Sequence, residues 1–204
     1  MSLFERIKNI LITPKTEWQK IDSEEQTLST VIITYILPLS LFAAICAYIG
    51  FGLVGIDTGL FGLRLKGNEW GLYEGISRLI SPILSTIIAA YVIDALAPTF
   101  KSEKNINKSA QLVAYSATAS LVGSVFLILP SLSLLAALLG LYGIYILYLG
   151  IGPLKKTPDD QKIGYMIVSF VIYIVIAGIL LFILHKILGS VLGIDFSELN
   201  ITSG

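Results

Sequence analysis

The sequence predicts an all-α membrane protein: a polytopic bundle of five transmembrane helices with short amphipathic helices at its N terminus. Three observations carry this expectation. Only 14% of the residues are charged and 55% are hydrophobic, where soluble domains carry roughly 25% charged residues. That leaves too few charges to cover a water-facing surface. The apolar residues, which give a mean hydropathy of +0.82, are gathered into five runs. Each run is long enough to cross a hydrocarbon core of about 30 Å as a helix of about 20 residues. Finally, lysine and arginine alternate between dense and sparse in successive loops. The runs are continuously apolar, not alternating over about ten residues, which excludes a β-barrel. Lipid leaves the helix as the remaining spanning structure, because the chain must satisfy its own backbone hydrogen bonds.

Residues 1–28 form an N-terminal segment. Leu3, Phe4, Ile7, Ile10 and Leu11 recur at helical spacing, with Glu5, Arg6 and Lys8 between them. That pattern predicts a short amphipathic helix lying on the inner membrane surface. Thr13-Pro14 reads as an N-cap followed by proline at the first position of a second short helix. Trp18 and Ile21 share one face of that helix. The opening apolar stretch is too short and too broken for a secretory signal, and Lys15, Glu17, Lys20, Asp22, Glu24 and Glu25 follow it.

The five spans are expected at about residues 30–54, 76–97, 110–129, 132–152 and 163–188, within a membrane domain of residues 29–190. Pro38 predicts a kink in the first. Leu129-Pro130-Ser131 joins the third and fourth with almost no loop, so these two are antiparallel neighbours. Taken as one helix they would hold about 43 apolar residues and overshoot any bilayer. Between spans one and two, residues 50–75 hold Gly50, Gly52, Gly55, Gly59, Gly62, Gly67, Gly71 and Gly75. The segment is too apolar for a free loop and too glycine-rich for a helix. It is expected to lie against the outer membrane surface or to fold back onto the bundle. Residues 191–204 form a tail.

Orientation follows from the bases. Arg6, Lys8, Lys15, Lys20, Lys101, Lys104, Lys108, Lys155, Lys156 and Lys162 fall on one side. Only Arg64, Lys66, Arg78 and Lys186 fall on the other. The positive-inside rule places the ten in the cytoplasm. The N terminus is then cytoplasmic and the tail, with Asp195 and Glu198, extracytoplasmic. A plasma (inner) membrane location is expected.

The formal net charge is zero, so no nucleic acid is expected as a partner. Cys46 is the single cysteine and reads as a small packing residue. No cofactor, metal or catalytic residue is expected. The chain carries no phosphate-cradling glycine loop, HExxH or GxSxG. The candidate functional polar residues are Asp94, Tyr142, Tyr145, Tyr148, Lys155 and Lys156. Asp94 is the only acid well inside an apolar run, and an intramembrane acid is a functional candidate. The competing reading, favoured by the nearby Ala97-Pro98, is an interfacial acid that reaches water or pairs with a lysine of the next loop. Tyr142, Tyr145 and Tyr148 recur every three residues on span four. They either line a polar path or pack against a neighbouring helix with each hydroxyl on a carbonyl. Lys155 and Lys156 open a turn that contacts anionic lipid or a partner, or is simply solvated. His185 and Lys186 read as an interfacial polar pair. Ser116, Ser120 and Ser124 form a small-residue ladder that permits close helix approach.

Three stretches are similar to the bacterial branch of the Yip1 family of five-span membrane proteins. Ile10-Leu11-Ile12-Thr13-Pro14 with Trp18 and Ile21 precedes Tyr35-Ile36-Leu37-Pro38-Leu39. Ala110-Gln111-Leu112-Val113-Ala114-Tyr115-Ser116 leads through Leu129-Pro130 into the next span. Tyr148-Leu149-Gly150-Ile151 precedes Lys155-Lys156-Thr157-Pro158 and the last span. Eukaryotic members resemble adaptors of vesicle traffic that engage Rab GTPases through an N-terminal region. Their acidic-tyrosine-glycine-proline motif is absent here, so no site residue carries over. The resemblance implies a non-enzymatic adaptor or organiser that binds lipid or other membrane proteins. The alternative is a transporter or channel component with a polar path through Asp94 and the tyrosine row.

Overall fold

The computed structural model describes residues 1–57, 64–65 and 67–192. Its N-terminal segment is a pair of helices meeting at a sharp corner. α1 (Leu3–Ile12) opens on a capping box. The Ser2 hydroxyl accepts from the Glu5 N–H, and the Glu5 carboxylate accepts from the Ser2 N–H. Those bonds hold the Glu5 carboxyl below the ordinary glutamate range. α2 (Pro14–Asp22) begins at Pro14 as the sequence predicts. Thr13 takes the cap position, but its hydroxyl donates back to the Asn9 carbonyl at 3.2 Å.

α1 also packs into the bundle, which its amphipathic pattern does not predict. Arg6 and Ile10 are buried in the bundle, while Phe4 and Ile12 are exposed. The apolar residues are therefore shared between two faces. Ile7, Ile10 and Leu11 pack inward on the hydrophobic core, and Leu3 and Phe4 face outward.

Five helical spans follow: Leu28–Val54, Asn68–Phe100, Ile106–Ile128, Pro130–Lys155 and Lys162–Leu192. Span one widens into π-helical turns at Ile32–Ile36 and Tyr48–Val54. The first lies directly before Pro38, which lacks the N–H needed for the regular ladder. Span two starts at Asn68, well before the expected residue 76. The glycines explain the difference. A Cβ on Gly71 would come within 2.6 Å of the Gly52 Cα, and one on Gly75 within 3.3 Å of the Ala44 carbonyl oxygen. These glycines do not break the helices; they let spans one and two cross at backbone contact. Ile56-Asp57 and Arg64-Leu65 pair as a two-residue antiparallel ladder. Gly59 and Gly62, and the tail from residue 193 onward, lie outside the described residues.

Spans three and four are joined through a tight turn at Leu129-Pro130, as predicted. Leu129 is extended between short 3-10 turns at Ser124–Ile128 and Pro130–Leu132. The two spans run antiparallel and touch closely: a Cβ on Gly143 would meet the Ser116 carbonyl oxygen at 2.8 Å. Ser116 and Ser124 are buried and Ser120 is exposed, so the serine ladder is partly an internal contact. Cys46 is a buried packing residue.

The basic segments gather at one end of the bundle. The Glu103 N–H donates to the Lys155 carbonyl at 2.8 Å, and the Ser102 and Thr157 hydroxyls lie 2.8 Å apart. The N-terminal helices dock at this same end.

Candidate functional site

The polar groups at this end form two buried clusters. The first centres on Lys155, the last residue of span four. Its ammonium donates to Asp94 Oδ1 at 3.2 Å, Ser109 Oγ at 2.8 Å and the Asn105 carbonyl at 3.3 Å. Ser109 Oγ also donates to Asp94 Oδ1 at 3.3 Å. An ammonium has three donors, and here all three are used. The Lys155 side chain is 0% exposed and that of Asp94 is 10% exposed.

Local structure explains why the groups meet. Asn105 caps span three, accepting from the N–H groups of Asn107 and Lys108. This fixes the first turn that carries Ser109. The helix of span four ends because Lys156 adopts a left-handed conformation, with φ of 50°. Lys155 is thereby left pointing inward. Tyr165 of span five donates to the Ile93 carbonyl beside Asp94. Phe100 stacks on the Tyr165 ring, with centroids 5.0 Å apart.

The second cluster ties the N-terminal helices to the spans. Arg6 Nη1 donates to Glu17 Oε1 at 2.6 Å, and Nη2 donates to Glu24 Oε1. The guanidinium lies over the Tyr115 ring, 5.1 Å from its centroid. Lys108 donates to the carbonyls of Ile21, Asp22 and Glu24, so a cation closes the negative end of the α2 dipole. Trp18 Nε1 donates to the Ile146 carbonyl at 3.0 Å.

These contacts correct several expectations. Asp94 is paired with a lysine, the second of the two interfacial possibilities, but not with one of the next loop. It is 7% exposed, and its partner comes from span four. Lys155 is not in a solvated turn, because its stem and head are enclosed. Lys156 remains half-exposed and pairs with Asp22 at 2.5 Å. The tyrosine row also divides. Tyr142 donates to the Leu11 carbonyl at 2.7 Å, whereas Tyr145 and Tyr148 are exposed. A three-residue step turns each successive ring about 60° around the helix, so the three cannot share one neighbour. His185 Nδ1 lies 2.5 Å from the Tyr73 hydroxyl. Arg6, Glu17, Glu24 and Lys108 were not singled out in the sequence. Each sits among other charges of the N-terminal segment or the loop after span two, and no spacing marks the pairs that form across helices.

Among the described residues, two cavities open beside the N-terminal helices. One of about 280 Å³ is lined by Arg6, Glu24, Gln26, Tyr35 and Tyr115, among others. The other, about 370 Å³, lies at the α1–α2 corner against Tyr142 and Tyr145. Neither is lined by Asp94 or Lys155.

Five apolar spans, a tight third-to-fourth turn and a docked amphipathic N-terminal pair define a multi-pass helical membrane protein. The family model described as the Yip1 domain matches residues 8–191, which takes in four spans and all but the last residue of the fifth. The chain belongs to the Yip1 family. No curated protein matches it. No solved structure matches it either.

Proposed function

We propose that this protein is a non-enzymatic membrane adaptor or organiser that binds other membrane proteins or lipid. One observation carries the reading: the intramembrane acid is paired inside the bundle through its Oδ1. Asp94 is held by Lys155 and Ser109, and every Lys155 donor is spent inside the bundle. A polar path for a solute needs groups that can exchange partners with it, and these are fixed. The transporter alternative, with Asp94 and the tyrosine row lining a path, has less support. Of the three tyrosines, two face outward, and neither cavity described above reaches Asp94.

The N-terminal helices, joined to the spans by the Arg6 and Lys108 contacts, present the surface on which a partner docks. We place this end in the cytoplasm at a plasma membrane, on the ten-to-four distribution of bases. A reporter fused within residues 101–108 should read as cytoplasmic; an exported reading there reverses the orientation. Crosslinking in native membranes followed by affinity purification tests the adaptor reading. A membrane protein crosslinked through residues 1–24 is the expected result. Solute flux by the reconstituted protein, with no crosslinked partner, would favour the transporter instead.

A further inference from the structure

The bundle presents two flanks of very different apolar height. On one flank, α2 runs alongside span four. Its start, around Thr13 to Thr16, lies against Tyr142 and Tyr145. Trp18 meets Ile146 and Gly150, and Asp22 meets Lys156. The outward face of α2 is Lys15, Thr16, Gln19 and Lys20, all exposed. A row of that composition cannot lie against acyl chains, because its polar groups would lose water without gaining partners. Tyr142 lies thirteen residues before Lys155, roughly 20 Å from the end of the helix. From Tyr142 back to Pro130 is twelve residues, which leaves roughly 18 Å of apolar helix. A hydrocarbon core is about 30 Å thick.

The opposite flank is span five. Ile163, Ile167, Val171, Ile174, Phe182 and Val191 are all exposed, and no charge interrupts them before Lys186. From Ile163 to His185, the residue before Lys186, is 22 residues, or roughly 33 Å of uncharged helix. Tilt accommodates an excess of this kind. It cannot lengthen the short flank.

We propose that the bilayer is thinned along the α2–span four flank, with lipid headgroups and their water drawn in to the level of Tyr142 and Tyr145. Three features fit this placement. Tyr145 and Tyr148 are exposed on span four, and tyrosine favours the headgroup level. α1 presents Leu3, Phe4 and Ile12 beside Glu5 and Lys8, a composition that suits the boundary between headgroups and chains. Lys15 and Lys20 supply cations to the phosphates. The consequence is a wedge-shaped lipid annulus, short beside α2 and tall beside span five. This inference does not depend on the adaptor reading.

The test uses single cysteines in a Cys46→Ala background, reconstituted in phosphatidylcholine vesicles. A membrane-impermeant maleimide is applied from the side carrying the N terminus. The sites are Thr16→Cys on α2, Tyr145→Cys on span four and Val171→Cys on span five. Tyr145 lies ten residues from the end of its span at Lys155, and Val171 nine from the start of its span at Lys162. The two are therefore at nearly equal depth. Thr16→Cys and Tyr145→Cys should react within about tenfold of their rates in detergent. Val171→Cys should be slowed at least about a hundredfold. Shielding of both Thr16→Cys and Tyr145→Cys would overturn the proposal. So would labelling of Thr16→Cys with Tyr145→Cys shielded, which would mean that α2 leaves span four and the bilayer keeps its thickness. Equal labelling of all three sites would also overturn it.

Discussion

Span three and span five cross the same membrane with opposite kinds of surface. In span three, 61% of the most apolar stretch is buried inside the protein; in span five, only 11% is. Span three carries Ser109, Gln111, Ser116 and Thr118 as buried polar groups. Span five has the higher mean hydropathy, 3.1 against 1.6. The inversion teaches how to read membrane helices. In lipid, apolarity marks the outside, because acyl chains are as apolar as leucine. The polar, small-residue helix is the one at the centre, where Ser109, Thr118 and the Gln111 amide nitrogen find protein partners.

If structural specificity resides in the central polar contacts, the largest effect should come from Asp94. Asp94→Asn leaves the enclosed Lys155 ammonium without its counter-charge. Losing one member of a buried pair costs on the order of 3–5 kcal/mol. Thermal unfolding in detergent should show this as a marked loss. Adding Lys155→Met should recover most of it, since no uncompensated charge then remains. A stable Asp94→Asn protein would remove the ion pair from the list of forces that hold spans two, three and four together.

The sequence revealed the membrane layout more fully than the site, for a physical reason. Length and apolarity fix a span, and both are local properties of the chain. The turn at Leu129-Pro130 and the corner at Pro14 were readable because proline acts on its own backbone. Asp94 was legible as a candidate but not its environment. Whether an acid four residues from Pro98 meets water or Lys155 depends on how span four ends, which is set by the left-handed Lys156. The glycines of residues 50–75 misled for the same reason. Alone they disfavour a helix, but packed at Gly52 and Gly71 they favour helix contact. α1 was read as amphipathic, yet Arg6, on the face taken as polar, is one of its buried residues.

A second comparison uses glycines at the two extremes. A Cβ on Gly150 would come within 2.5 Å of the Trp18 ring and 2.7 Å of Leu112, whereas one on Gly178 of span five meets nothing within 4 Å. Gly150→Ala should therefore destabilise by about 1–3 kcal/mol through overpacking, and it should loosen α2 from span four. Gly178→Ala should be neutral or stabilising by up to about 1 kcal/mol, from helix propensity alone. Thermal unfolding of both variants in one detergent checks the contrast. Equal destabilisation would mean that span five is packed against something at Gly178 in the membrane.

The smallest expected effect lies at the outer edge of the docked end, in the first turn of α1. Glu5 is exposed, and its carboxylate accepts from the Ser2 N–H at 3.0 Å and the Ser2 hydroxyl at 3.1 Å. Both bonds favour the charged form, so Glu5 titrates below an ordinary glutamate. The sign follows directly. A carboxyl with a lowered folded value contributes stability above its unfolded value, and loses it as pH falls through the folded one. Acid should therefore fray the first turn of α1 before it disturbs the ladder of span five. Carbon NMR of labelled glutamate measures the Glu5 titration directly. Ser2→Ala removes the hydroxyl partner and should raise the Glu5 value while leaving its neighbours in place. If Ser2→Ala leaves the Glu5 titration unmoved, the capping box does not hold the helix start. The first turn would then be ordered only by the burial of Arg6 one residue further on.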